Sequence, residues 1–256
     1  MFARFVLFVA AASTAAAPVT SRFRIEQKTE SKVDLSAFGQ GEQLQNQSAL
    51  WHATISYTDS AGGRVLHAVL DSLRVDGGMV PVSPASIDSA KGTTWHGFMD
   101  AEWRLKSLAA SKSSTFGAQF ESTLRLLHPS VKRGAAAGAS WTDTLDTPTK
   151  TAQADLSARA IRTFTMGGAE AYDGAQALRL DVALVSSVSG TLDTPGGSAE
   201  MIGGGPGTGT YYLAPDGRFI GGKSTSVTDA LVTIATAPAP IPVKTTTTTT
   251  VTVVRP

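Results

Sequence analysis

The segment GRFIGGKS, Gly217 to Ser224, satisfies the phosphate-loop pattern G-x-x-x-x-G-K-[ST] at every position. In such a loop a strand delivers glycine N–H groups around the phosphates. A helix then begins at the lysine, with its positive end facing the anion. Here the preceding YYLAP is strand-like, but the following STSVTDALVTIAT alternates, is β-branched and has no helical apolar stripe. Asp216-Gly217 therefore reads as a hairpin turn, and Gly221-Gly222 as a bulge or a flexible strand interior. No nucleotide is expected.

The remaining chemistry is sparse. His52, His67, His96 and His128 form no HExxH or H-x-H pattern. A hairpin register places His52 opposite Asp71, with His67 on the same polar face. Two His and one Asp could be drawn as a metal site, but solvated polar residues explain them as well, and no metal is expected. There is no G-x-S-x-G elbow and no S-x-x-K. Asp143 and Asp146 lie close together in SWTDTLDT, as do Asp100 and Glu102. Paired carboxylates can perform acid–base hydrolysis, but turn and strand-edge roles fit the same spacing. Trp51, Trp95, Trp103 and Trp141 are dispersed, which suits core filling better than a ligand cavity. No cofactor and no enzymatic activity are expected, with a carboxylate-dependent hydrolase as the third-ranked reading.

The elements that must carry these residues are mostly strands. In WHATISYT, Trp51, Ala53, Ile55 and Tyr57 share one face, and His52, Thr54, Ser56 and Thr58 the other. That period of two marks a half-buried strand. Asp59 to Gly63 supplies a turn. RVLHAVLDSLRV then returns with Leu66, Ala68 and Leu70 facing the first strand. RFRIEQKTE, ADLSARAIRTFTM, ALRLDVALVSSVSG, GTYYLAP and the stretch after Gly217 continue the pattern, with Asp-Gly turns at Asp76, Asp173 and Asp216. Two segments change rhythm. Ser83-Pro84 followed by ASIDSAKG predicts a short capped helix. Phe116, Phe120, Leu124 and Leu127 form one helical stripe over about Ser113 to Leu127, ended by His128-Pro129. Val131 to Ser140 reads as a flexible connection, and the Gly-rich Thr194 to Gly209 as a mobile loop or loose hairpin. The Pro/Thr-rich segment 237–256 is extended. Its six threonines, Thr245 to Thr250, followed by VTVV favour a final strand pairing back onto the sheet over a disordered tail.

Composition bounds the function. The 256 residues carry a net charge of +1, with 17% charged residues and no Cys. No basic stripe supports nucleic-acid binding. The missing Cys excludes disulfides, thiol catalysis and a lipidated N-terminal Cys. Residues 1–17 read as a signal peptide: Arg4, then an apolar run from Phe5 to Ala12, then Ala15 to Ala17. The run is well short of the roughly 20 residues that span a bilayer, and no transmembrane segment is expected elsewhere. Residues 18–256 read as one mainly-β (α+β) domain. Its fold is a large curved antiparallel sheet or half-barrel, with one or two helices packed on the concave face. The protein is expected to be exported to the periplasm or beyond, in a bacterial envelope.

The order of strand hairpins, middle helices and further strands loosely resembles the LolA/LolB-like half-barrel carriers of lipoproteins and lipids. VKRGAAAGASWTDTLDT also resembles uncharacterised exported proteins of environmental bacteria. No motif in the chain is diagnostic of either. The carrier resemblance implies a lipid or acyl chain held between sheet and helices. The lining would then include Trp51, Ala53, Ile55, Tyr57, Phe116, Phe120, Leu180 and Val182. The alternative is a non-catalytic structural or interaction module of the envelope with a filled core.

Overall fold

The computed structural model describes residues 17–78, 82–132, 134–150, 154–194 and 197–254. The leader reading falls almost wholly outside them. The strands are β1 (Val19–Asp34), β2 (Glu42–Ser60), β3 (Gly63–Gly77), β4 (Thr94–Asp100), β5 (Leu105–Ala110) and β6 (Ser140–Lys150). They continue with β7 (Ala154–Tyr172), β8 (Ala175–Thr194), β9 (Gly197–Leu213), β10 (Phe219–Ile234) and β11 (Ile241–Val254). Helices α1 (Pro84–Ala90) and α2 (Thr115–Leu127) interrupt them.

All eleven strands join one curled antiparallel half-barrel sheet, in the order β5-β4-β3-β2-β1-β11-β10-β9-β8-β7-β6. The first and last strands meet at its centre, where Ile25 pairs with Val251 and Glu30 with Thr246. The threonine run is therefore a central strand, bonded to β1 on one side and β10 on the other. β-Branched side chains suit that pleated, half-buried position. Edges β5 and β6 do not pair with each other, and α2 packs against both.

Each long strand is two-faced. On β1, Phe23 and Ile25 point to the concave side, while Arg22, Arg24, Glu26, Lys28, Glu30 and Lys32 alternate on the convex side. Alternation of this kind is what one covered and one wetted sheet face demand. The covered part is one end of the half-barrel. There Phe23, Trp51, Leu66, Trp95, Phe164 and Leu180 pack under α2, all fully buried.

Both helices begin as their caps dictate. The Ser83 side chain accepts from the Ser86 N–H with Pro84 at the first helical position, and Ser114 accepts from the Gly117 N–H. Phe116, Phe120, Leu124 and Leu127 are the buried stripe of α2.

Two expectations are corrected. First, the Gly-rich segment is no loose loop: Gly197–Leu213 is strand β9, paired on both sides. Its glycines from Gly203 to Gly209 are there because the neighbours crowd in. A Cβ at Gly205 would run into the Val227 carbonyl, and one at Gly209 would lie 2.9 Å from the Lys223 carbonyl oxygen. Close backbone approach is a recognised reason for glycine inside a strand. Second, His52 does not face Asp71. A bulge between His52 and Ala53 pairs His52 with Ser72, while Asp71 accepts from the Thr54 hydroxyl at 2.8 Å. β4, for which the sequence offered no reading, pairs His96 with His67.

Candidate functional site

The eight residues expected to line a ligand space are brought together, but as packed core. Trp51, Ala53, Ile55, Phe120 and Leu180 are fully buried, and Tyr57, Phe116 and Val182 are between 4% and 8% exposed. Phe120 sits between two indoles, 5.0 Å from the Trp95 centroid and 6.3 Å from that of Trp51. Both indole N–H groups are buried without an acceptor among the described residues, a cost that such an aromatic cluster must offset.

A polar clasp ties α2 to the sheet beside this cluster. The His128 Nδ1 lies 2.7 Å from the Leu124 carbonyl, which can only accept, so Nδ1 carries the proton. Nε2 therefore accepts from the Tyr57 hydroxyl at 2.8 Å. Burial pushes the Tyr57 phenol up. Burial also pushes His128 down to about 4 from 6.5, against the Leu124 bond, which favours the charged ring. A neutral folded His128 has a definite consequence for stability. Between pH 6.5 and about 4 the unfolded chain binds the extra proton. Stability from this group is thus complete above that window and falls as the pH drops through it, by roughly 3 kcal/mol in total. Urea midpoints measured at pH 7 and pH 4.5 should show the loss, and His128→Gln should flatten its share of the slope. An equal slope in both proteins would place the loss elsewhere.

The carboxylates singled out from the sequence are engaged in structure. Arg162, only 3% exposed, donates to Asp143 at 2.7 Å and to the Leu126 carbonyl at 3.3 Å. Asp146 pairs at 3.7 Å with Arg159. Asp100 accepts from the Glu102 and Arg104 N–H groups and pairs with Lys106 at 3.2 Å. Burial raises the Asp100 carboxyl, but the bonds from Arg104, Lys106 and Glu102 outweigh it and hold the group below the usual carboxylate range. No group of three or more His, Asp or Glu among the described residues is placed to hold a metal.

The nucleotide-like motif is turn and strand. Gly217, at φ +90°, closes a turn onto the Ala214 carbonyl, and Phe219–Ile234 is β10, paired on both sides. No helix follows it. Lys223 projects from the convex face into a feature that the sequence did not disclose.

That feature is a shallow depression of about 530 Å³ across β7 to β10. Two cross-strand rows frame it. One runs Thr165, Asp181, Thr210, Lys223, and the other Thr163, Ala183, Thr208, Thr225. Ala183 is the short side chain among taller threonines. Asp181 is held by Arg179 at 2.9 Å and by the Thr210 hydroxyl at 3.0 Å. The next row holds Arg179, Tyr212 and Gly221, and Tyr172, further along β7 opposite Ala175, stacks on Tyr212 with centroids 3.9 Å apart and planes within 14°. A Cβ at Gly221 would strike the Tyr172 hydroxyl, so the first glycine of the GGK triplet is what lets that ring lie down. Burial raises both phenols. The neighbouring phenol and Asp173 add to it at Tyr172, and the Glu170 charge and hydrogen bond add to it at Tyr212.

No protein-family profile and no curated protein matches the chain. Among solved structures, a mutant of the Rh. blastica porin is similar at 8% identity and TM-score 0.30, over 91% of this chain and all of the porin chain. OccK11 (OpdR) of Pseudomonas aeruginosa is similar at 9% identity and TM-score 0.21, over 93% and 96% of the two chains. The expected likeness to LolA/LolB-like carriers is therefore overturned, since the similar structures are porins. A likeness of this depth assigns no function. On the convex face β1 turns out Arg22, Arg24, Glu26, Lys28, Glu30 and Lys32, while Ile161, Val185, Ile202 and Leu231 are exposed on other strands. No helix among the described residues is long and apolar enough to cross a membrane.

Proposed function

We propose that the chain is an exported, non-catalytic interaction module of the cell envelope, with its working surface on the outside of the sheet. The observation that carries this reading is the filled interior. The residues that a carrier would need as cavity walls are packed on one another beneath α2. Of the eight, Ala53 and Val182 border surface depressions while staying 0% and 4% exposed. The leader-like residues 1–17 support export.

Enlarging a residue of a full core overpacks it and costs roughly 1 to 3 kcal/mol. The Ala53→Phe variant should therefore lose stability by about that amount in urea titration. The wild type should take up no fluorescent fatty acid, and native mass spectrometry of protein from its own host should show no lipid-sized adduct. Uptake by the wild type, blocked in Ala53→Phe with stability kept, would instead restore an apolar-ligand carrier.

A further inference from the structure

We propose that the depression beside the Tyr172–Tyr212 stack binds a neutral saccharide. The proposal rests on the interaction-module reading and names the ligand class of its surface. Three observations converge. The charges around the depression balance, with Arg179 and Lys223 against Glu170 and Asp181. A balanced site gives an ionic ligand no net attraction, while each of its groups can bond a hydroxyl. The walls are threonines, which both donate and accept, arrayed at the strand spacing of about 4.8 Å. Sugar hydroxyls present the same dual chemistry. Finally, a stacked tyrosine pair forms a flat apolar shelf at the rim, the kind of surface on which the C–H face of a sugar ring packs.

The volume fits a small ligand, since sites of this type span about 300–1,000 Å³. The depression is open and short of deep apolar walls, so millimolar to submillimolar affinity is expected. The local sequence is built for this arrangement. Gly221 makes room for Tyr172, Lys223 supplies the cation, and Ala183 opens the floor.

The test uses the mature protein and calorimetry with three neutral trisaccharides, maltotriose, cellotriose and triacetylchitotriose, and one anionic trisaccharide, trigalacturonate. At least one neutral probe should bind at millimolar concentration more tightly than the anionic one. Tyr172→Ala should weaken it about tenfold, the scale of one lost aromatic contact. Ala183→Gln, which fills the floor on an exposed strand face, should abolish binding while leaving the melting temperature in place. Gly221→Ala should weaken binding by displacing Tyr172. Absence of binding by all three neutral probes would overturn the proposal. So would tighter binding of trigalacturonate, or affinity unchanged in Tyr172→Ala and Ala183→Gln. Binding accompanied by cleavage of the probe would support this site and overturn the non-catalytic reading. Fatty-acid uptake reports on the core alone, so the two failures are separable.

Discussion

Phe120→Ala should lower stability by about 3 to 5 kcal/mol, the range for emptying a buried aromatic site. Phe120 is fully buried and bridges Trp51 of β2 and Trp95 of β4. It is the most deeply wedged of the contacts by which α2 holds the curled sheet from inside, between two indoles. Neighbours can collapse only slightly into the gap, because two large indoles with fixed backbone registers flank it. For a domain of this size the loss corresponds to about 6 to 20 °C in melting temperature. Ile161→Ala, on the convex face and 46% exposed, should move it far less. Thermal melts of both variants check the claim. A Phe120→Ala protein that melts with the wild type would mean that α2 does not rest on the sheet.

Asp143→Ala should cost about 3 kcal/mol, because it strands a buried guanidinium. Arg162 sits at 3% exposure between the edge strand and the end of α2, its Nε already without a partner. Its other contacts are the Leu126 carbonyl at 3.3 Å and the Phe164 ring at 5.3 Å. Removing the carboxylate leaves those to carry a full charge. Asp143 keeps 18% of its side chain in solvent, which holds the effect to the lower part of the usual range. The diagnostic is the double variant Asp143→Ala with Arg162→Met, in which no charge remains to be buried. It should recover most of the loss. A double variant as unstable as the single would show that Arg162 matters for packing and not for its charge.

Much of the fold was legible in local patterns. The alternation of Trp51 to Tyr57, the Phe116 to Leu127 stripe and the cap Ser83 each state a conformation within a few residues, and each was met. What stayed hidden was set by distant partners. The Gly-rich stretch looked like a loop because glycine has no side chain to show a period. It is a strand because Val227 and Lys223 of β10 leave room for nothing larger. The His52 register slipped because a bulge has no signature in its own sequence.

The sequence by itself determined that the chain is a set of two-faced strands with one amphipathic helix and a central apolar inventory, since periodicity and capping are local physics. Only the tertiary structure decided that the first and last strands pair at the sheet's centre, and that His128 reaches Tyr57 across α2 and β2. It alone brought Tyr172, Asp181, Tyr212 and Lys223 to one convex patch. Those arrangements depend on strand order, and strand order is settled by which long-range pairings bury the most apolar surface together. No short stretch of the chain carries that information.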